Sequence, residues 1–114
     1  MRNVVINKLI RDKIPEISKN AGNIPYTRIL NDEEYKKELE NKLLEEINEF
    51  LNSKTKEERI EELADTLEVI RSLATLEDTS FEELINVMEE KREKRGGFTK
   101  KLFLESFDTD KESW

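Results

Sequence analysis

The sequence has 114 residues, enough for one domain, and it is 35% hydrophobic and 41% charged. This composition allows helices with one apolar stripe each but provides little apolar surface for a large core. It has no cysteine, no histidine and three glycines, which excludes disulfides, Cys/His zinc sites, imidazole catalysis and glycine-rich phosphate loops. An enzyme without these groups must rely on carboxylates, lysines, arginines and a metal ion. The net charge of −7 disfavours nucleic-acid polymers and anionic membranes as partners.

A short helix is predicted first in the chain, with Asp12 as its N-cap, Pro15 in its first turn and its end near Gly22. After it, residues 24–30 (IPYTRIL) have the composition of a β-strand, and residues 98–107 (FTKKLFLESF) alternate partly between apolar and polar. These two segments are predicted to pair as a small β ribbon.

Three longer helices are predicted from capping boxes, in which an N-cap side chain and a glutamate three residues later satisfy each other's backbone donors. The pairs are Asn31 with Glu34, Thr55 with Glu58, and Ser80 with Glu83. Apolar periodicity carries the helices to about Leu51, Leu76 and Arg95. The short connection at residues 52–54 makes the first two of them antiparallel neighbours.

The predicted fold class is therefore all-α, an antiparallel bundle of three main helices and a short N-terminal helix, with the small ribbon added. Residues 1–114 are predicted to form a single domain, with a helical core at 31–95 and a loose tail at 108–114. Because the core is thin, the bundle is predicted to be completed by oligomerisation, as a homodimer or homotetramer.

The first long helix carries carboxylates beside its apolar face, at a rotation of about 100° per residue. Glu46 lies at the margin of that face, and Glu49 lies in the next strip round together with Lys42. Glu45 is predicted to point further away.

The second long helix has two apolar strips. Its main apolar face comprises Ile60, Leu63, Ala64, Leu67, Ile70 and Ala74. Val69 and Leu73 form a second strip about 100° round from the first. Glu62 and Asp65 lie at the N-terminal end of this second strip.

Each helix thus places two acids at a spacing of three, beside apolar residues of a predicted hairpin. Four carboxylates facing one another would repel and raise one another's pKa values unless cations lay between them. An all-oxygen ligand set favours Mg²⁺, with Mn²⁺ as a substitute. Asp and Glu make up 27 of the 114 residues, so a solvated acidic helix face is the competing interpretation.

Three stretches of the chain resemble elements of the MazG-like all-α nucleotide pyrophosphohydrolase superfamily. Residues 45–49 (EEINE), followed after twelve residues by 62–65 (ELAD), are similar to its EExxE…ExxD signature. Residues 7–15 (NKLIRDKIP) and 91–98 (KREKRGGF) resemble the NKLxRDKIP and RGGF elements of a MazG-related, phosphoribosyl-ATP pyrophosphohydrolase-like subgroup. In this order and spacing the stretches span nearly the whole chain.

The resemblance implies an enzyme, a Mg²⁺-dependent hydrolase that cleaves a nucleoside triphosphate or related nucleotide between its α- and β-phosphates and releases pyrophosphate. The metal ligands that it implies are Glu46, Glu49, Glu62 and Asp65. Either Glu46 or Glu49 then orients the attacking water or accepts its proton. Members of the family usually work as dimers or tandem equivalents, in agreement with the predicted oligomer.

Cations that meet the phosphates are the second requirement of such a site. Candidate substrate-binding residues are Lys42, Lys91, Lys94, Arg95, Lys8 and Arg11. For Lys8 and Arg11 two interpretations stay open: they close over the ligand, or they belong to a surface segment in which Asp12 caps the short helix. Gly96 and Gly97 either let the backbone approach a phosphate or terminate the third long helix.

Two alternative functions remain open. Phosphoribosyl-ATP pyrophosphohydrolase activity fits the acid motif and the size, although residues 7–15 favour the MazG-like subgroup. A non-catalytic helical nucleotide-binding or interaction module would use its acids for solubility. No run approaches the roughly 20 apolar residues of a membrane span, and the N-terminus lacks the apolar centre of a signal peptide, so a cytoplasmic protein is expected.

Overall fold

Four helices provide the regular secondary structure of residues 1–112, the part of the chain that the computed structural model describes. They are α1 (Ile14–Asn20), α2 (Asp32–Asn52), α3 (Lys56–Leu76) and α4 (Phe81–Arg95). The predicted all-α class is confirmed, and the three long helices end at the predicted residues or one residue beyond them. Within the same residues, no helix has both the length and the apolar character needed to cross a membrane.

Side chains cap the N-termini of α2 and α3. The box predicted for α2 is complete, because Asn31 Oδ1 accepts from the Glu34 amide at 2.8 Å and Glu34 Oε1 accepts from the Asn31 amide at 3.4 Å. At α3, Thr55 Oγ1 accepts from the Glu58 amide at 3.1 Å as predicted. The Glu58 carboxylate, however, accepts from the amide of Lys54, one residue upstream of the N-cap, at 3.1 Å, so the return bond of the second box goes to a different donor.

The start of α1 differs from its prediction. Its N-cap is Lys13, which makes no side-chain capping bond, so Asp12 is not the cap. The chain already turns before the helix, with the Ile14 amide donating to the Arg11 carbonyl at 3.0 Å. Pro15, at the start of the helix as predicted, has no amide hydrogen that a cap would need to satisfy.

The predicted β ribbon is wrong, since residues 1–112 contain no strand. Residues 24–30 run irregularly into the cap of α2. Residues 98–107 are interrupted at Lys101, whose φ of +61° lies in the left-handed region. An isolated two-stranded ribbon is marginally stable in water, so strand-like composition alone does not produce one.

Helices α2 and α3 pack against each other as a hairpin. Near the turn, the Arg59 guanidinium donates to the Phe50 carbonyl at 3.2 Å and lies 4.0 Å from the centre of its ring. Further from the turn, the carboxylates of Glu46 and Glu62 come together. Residue numbers fall along α2 as those of their contacts rise along α3, so the two helices are antiparallel as predicted.

Few apolar side chains are buried in residues 1–112, namely Leu39 of α2 with Val69 and Ala74 of α3. Many apolar positions of the hairpin stay exposed: Leu44, Ile47, Leu51, Ile60, Leu63 and Leu67. On α3, Val69 of the second strip is buried. Four of the six members of the predicted main apolar face are exposed, namely Ile60, Leu63, Ala64 and Leu67, whereas Ala74 of the same face is buried.

The chain divides into two units, Met1–Phe81 and Glu82–Trp114. The first contains α1 and the α2–α3 hairpin; the second contains α4 from Glu82 onward and the residues after it, of which 113–114, the end of the predicted tail, lie outside the described part. Gly96, with φ of +83°, ends α4 and donates its amide to the Arg92 carbonyl at 2.7 Å. This supports the interpretation of Gly96 as a helix terminator.

Candidate metal centre

Three carboxylates meet on the α2–α3 hairpin. Glu46 and Glu49 come from α2 and Glu62 from α3, and one oxygen of each lies within 4.8 Å of the others. The spacing of three places Glu46 and Glu49 on one side of their helix, and the antiparallel packing brings Glu62 to them. The structure thus brings together three of the four predicted metal ligands, in a group that we call the acid cluster.

Part of the acid cluster is shut off from water. The Glu46 side chain is only 9% exposed. Oε2 of Glu46 and Oε2 of Glu62 are inaccessible to solvent and have no hydrogen-bond partner within the described chain. Burial of a carboxylate oxygen without a donor costs free energy, and either a proton or a cation offsets that cost.

The pKa values of Glu46 and Glu62 are both raised in the acid cluster. Burial raises the pKa of Glu46. A hydrogen bond with Glu46, followed by burial, raises the pKa of Glu62 to about 7, and the nearby Glu49 contributes in the same direction. In metal-free protein, therefore, one proton is shared between the facing carboxylates of the two helices below neutral pH.

The donors of the acid cluster fit a hard divalent cation. All three are carboxylates, the ligands that Mg²⁺ and Mn²⁺ prefer, and the described chain contains no histidine or cysteine beside them that would favour a softer metal. Glu46 closes the buried side of the cluster, whereas Glu49 is exposed and leaves the other side accessible. A phosphate or a water molecule can therefore approach from the side of Glu49.

Lysines border the acid cluster on α2. Lys42 Nζ lies 3.5 Å from Glu45 Oε2 and 3.9 Å from Glu46 Oε1, and its role as a substrate ligand stays a prediction. Lys8 Nζ donates to Glu45 Oε1 at 3.0 Å. This hydrogen bond lowers the pKa of Glu45 and raises that of Lys8. Glu45 was predicted to point away. It is instead held beside the cluster by Lys8 of the N-terminal segment, residues 1–13, which precedes α1.

Asp65 does not belong to the acid cluster. Its Oδ1 accepts a hydrogen bond from Arg11 Nη2 at 2.8 Å, and the two side chains are 40% and 59% exposed. The fourth predicted ligand is therefore paired with a cation of the same chain. Lys8 and Arg11 lie at the site, as the interpretation in which they close over a ligand requires. Their partners in this structure, however, are carboxylates of the protein itself.

A cavity of about 210 Å³ lies next to this arrangement, between the N-terminal segment and α2. It is lined by Asn7, Lys8, Leu9, Glu38, Asn41, Lys42 and Glu45. The cavity thus shares Lys42 and Glu45 with the border of the acid cluster.

The remaining predicted phosphate-binding residues belong to the second unit. Lys91, Lys94 and Arg95 are exposed near the C-terminal end of α4. Their contact with a substrate stays a prediction.

Sequence reasoning missed the ion pairs of the N-terminal segment with Glu45 and Asp65. The available signal was a short basic segment in a chain with acid-rich helices. That signal indicates attraction between the two, but it does not identify which carboxylate each cation meets.

Comparison with known proteins leaves the family open. No family model matches the chain, and no solved structure matches it. An uncharacterised protein of Mycolicibacterium smegmatis is 39% identical over 54 residues, which are 47% of this chain and 55% of that protein. The chain thus matches about half the length of this relative, and membership of the MazG-like superfamily stays a prediction.

Proposed function

We propose that this protein is a Mg²⁺-dependent nucleotide pyrophosphohydrolase that cleaves between the α- and β-phosphates of a nucleoside triphosphate or a related nucleotide. The observation that carries the proposal is the acid cluster, in which Glu46 is nine-tenths buried and keeps one oxygen without a donor. A carboxylate group that serves solubility alone has no reason to be buried or to face two others. The resemblance of residues 45–49 and 62–65 to the EExxE…ExxD signature supports the same function.

Glu46, Glu49 and Glu62 would hold the cation. When bound, Mg²⁺ would supply positive charge to the phosphate oxygens and lower the pKa of a water molecule. Glu49 is the exposed member, so it can orient the attacking water and accept its proton, whereas the buried Glu46 is suited to fixed ligation. This distribution of roles favours Glu49 over Glu46 as the proton acceptor.

Cations of the chain complete the proposed site. Lys42 lies within 4 Å of Glu45 and Glu46, and this position supports a role for its ammonium in binding a phosphate next to the cluster. Lys8 and Arg11 approach from the N-terminal segment. Proposed substrate contacts of Lys91, Lys94 and Arg95 rest on their resemblance to the basic RGGF element.

Self-association and location belong to the same proposal. The exposed apolar residues of α2 lie at positions 44, 47 and 51, and those of α3 at 60, 63 and 67, so each helix offers a stripe of i, i+3, i+7 spacing. Such stripes support a homodimer or homotetramer. We place the enzyme in the cytoplasm, where nucleotides and Mg²⁺ are available.

A substrate panel tests the proposed reaction. The purified protein is incubated with canonical and modified nucleoside triphosphates and with phosphoribosyl-ATP, in Mg²⁺ or in EDTA, and monophosphate and pyrophosphate are quantified. We expect equal amounts of monophosphate and pyrophosphate from at least one nucleoside triphosphate in Mg²⁺ and none in EDTA.

Any other outcome of the substrate panel would indicate a different function. Hydrolysis of phosphoribosyl-ATP without hydrolysis of any nucleoside triphosphate would assign the histidine-pathway reaction. Release of orthophosphate with a diphosphate would contradict cleavage between the α- and β-phosphates. Nucleotide binding without any product would indicate a sensor, and the absence of both would indicate an interaction module.

A further inference from the structure

We propose that Arg11 is a displaceable counter-ion: it occupies Asp65 in the metal-free protein and moves to a phosphate of the nucleotide when Asp65 ligates the divalent cation. The inference rests on the proposed function and adds a means by which metal binding prepares the site for its substrate. Residues 7–12, which bring Arg11 to the site, are called the N-terminal strap.

The first argument is the position of Asp65. It follows Glu62 by three residues on α3, so the two carboxylates start from the same side of the helix. Glu62 nevertheless takes part in the acid cluster, while Asp65 accepts a 2.8 Å hydrogen bond from Arg11. Helix spacing therefore leaves Asp65 on the side of α3 that faces the acid cluster, and the partner that it has in this structure is Arg11.

The second argument is the weakness of this pair. Both side chains are substantially exposed, 59% for Arg11 and 40% for Asp65. Exposed ion pairs contribute little because water screens them. A divalent cation held by the acid cluster, whose Glu46 oxygen is buried and lacks a donor, competes successfully for one more carboxylate.

The third argument is that the strap keeps Arg11 at the site after it leaves Asp65. The strap has no helix or strand up to Arg11, but the Arg11 carbonyl accepts the 3.0 Å hydrogen bond from the Ile14 amide, which ties its backbone to the start of α1. A released guanidinium therefore stays beside the cluster. The planar guanidinium of Arg11 can donate two parallel hydrogen bonds to the oxygens of a phosphate. A phosphate that binds next to the cluster would therefore replace Asp65 as the partner of Arg11.

Charge balance agrees with the exchange. The site carries five carboxylates, on Glu45, Glu46, Glu49, Glu62 and Asp65, and three cations, on Lys8, Arg11 and Lys42. A divalent cation brings the local charge to zero, so the phosphates of the nucleotide then need a cation of the chain that is no longer paired. Arg11 meets this need once Asp65 has a new partner.

The test measures binding of Mn²⁺ alone by calorimetry, for the wild type, for Arg11→Gln and for Arg28→Gln. Arg28 is a matched control, since it makes an exposed 2.8 Å pair with Glu34 outside the site. We expect Arg11→Gln to bind Mn²⁺ more tightly, by up to about fivefold. The gain in affinity cannot exceed the free energy that the exposed Arg11–Asp65 ion pair contributes. Inorganic pyrophosphate, added at saturating Mn²⁺, should bind Arg11→Gln about tenfold or more weakly. Arg28→Gln should change neither affinity.

The opposite signs of the two effects distinguish exchange from simple charge removal, and Asp65→Asn makes the distinction sharper. In an Asp65→Asn background, Arg11→Gln should no longer tighten Mn²⁺ binding. An equal gain in that background would show that Arg11 acts only through its charge and would overturn the proposal. Unchanged Mn²⁺ affinity in Arg11→Gln, with binding still weakened by Glu49→Gln, would overturn it while leaving the proposed function standing. Failure of the wild type to bind Mn²⁺ would overturn both.

Discussion

Glu46 and Glu62 distinguish the acid cluster from an ordinary acidic surface. Each keeps a solvent-inaccessible carboxylate oxygen that has no hydrogen-bond partner within residues 1–112. Glu61, the neighbour of Glu62, is exposed. Burial of these oxygens without a donor raises the free energy of the folded state. Binding of a proton or a cation therefore stabilises the folded state.

The free energy of unfolding should depend on pH because Glu46 and Glu62 each have a buried carboxylate oxygen without a donor. The pKa of Glu62 is about 7 in the folded chain and near 4.5 in the unfolded chain, so between these values the folded state binds the additional proton. In metal-free buffer the free energy of unfolding should therefore fall as pH rises from about 4.5 to 7, with the loss complete above that range. Thermal unfolding at a series of pH values measures the slope.

Glu62→Gln and Glu61→Gln provide the comparison for this prediction. Glu62→Gln should flatten the slope, and Mg²⁺ should raise the melting temperature of the wild type more at pH 8 than at pH 5. Glu61→Gln should keep the wild-type slope. Equal slopes for all three proteins would contradict a shared proton in the acid cluster.

At the scale of residues, the sequence predicts what depends on helix periodicity and misses what depends on the path of the N-terminal segment. Glu46, Glu49 and Glu62 come together because spacing along two antiparallel helices determines their direction. Asp65 and Glu45 were misjudged because their partners, Arg11 and Lys8, are 54 and 37 residues away in the chain. No local rule specifies such pairs.

At the scale of elements, the α2–α3 hairpin positions the site, and its caps determine where each helix begins. The cap of α2 combines a complete capping box with the Arg28 guanidinium, which donates to both oxygens of Glu34 at 2.8 and 3.3 Å. These bonds lower the pKa of Glu34 and keep it charged at the positive end of the helix. The hydrogen bonds therefore stabilise the first turn of α2.

Loss of this cap should destabilise the folded chain. Asn31→Ala removes the acceptor of the Glu34 amide, and we expect the free energy of unfolding in urea to fall by about 1 kcal/mol. Asn3→Ala, in the exposed N-terminal segment, is the control and should stay within about 0.5 kcal/mol of the wild type. Similar stabilities for the two variants would mean that the capping bonds contribute nothing measurable.

Capping explains why the helices were predictable and the ribbon was not. A cap is a contact over three residues, so the sequence around Asn31 or Thr55 contains all of it. A strand needs a partner elsewhere, and residues 24–30 and 98–107 supply only a suitable composition. The left-handed Lys101 has no signal in the sequence that would have revealed it.

At the scale of the whole molecule, the described chain buries little and exposes much of its apolar surface. Leu39, Val69 and Ala74 are its buried apolar residues, while both helices of the hairpin expose apolar stripes. Composition predicted this shortage, because 35% hydrophobic residues in 114 provide limited material for a core. Sequence and chain fold together do not specify the symmetry of an assembly, since several arrangements would cover the same stripes.

Self-association should depend on these stripes. We expect the wild type to sediment as a dimer or larger oligomer and Leu63→Lys to shift it towards the monomer, because a charge in an apolar interface is costly. Ile24→Lys, at an exposed position in the segment before α2, should keep the wild-type mass. A monomeric wild type at micromolar concentration would contradict the predicted oligomer.

The most direct test of the acid cluster compares Mg²⁺-dependent pyrophosphate release by Glu62→Gln and Glu61→Gln, using the best nucleotide substrate. The two substitutions remove the same charge from adjacent positions of α3, but only Glu62 belongs to the cluster. We expect Glu62→Gln to lower turnover by a factor of about 100 or more and Glu61→Gln to retain it, with both proteins folded by circular dichroism. Equal turnover in the two variants would show that the acid cluster does not carry the chemistry.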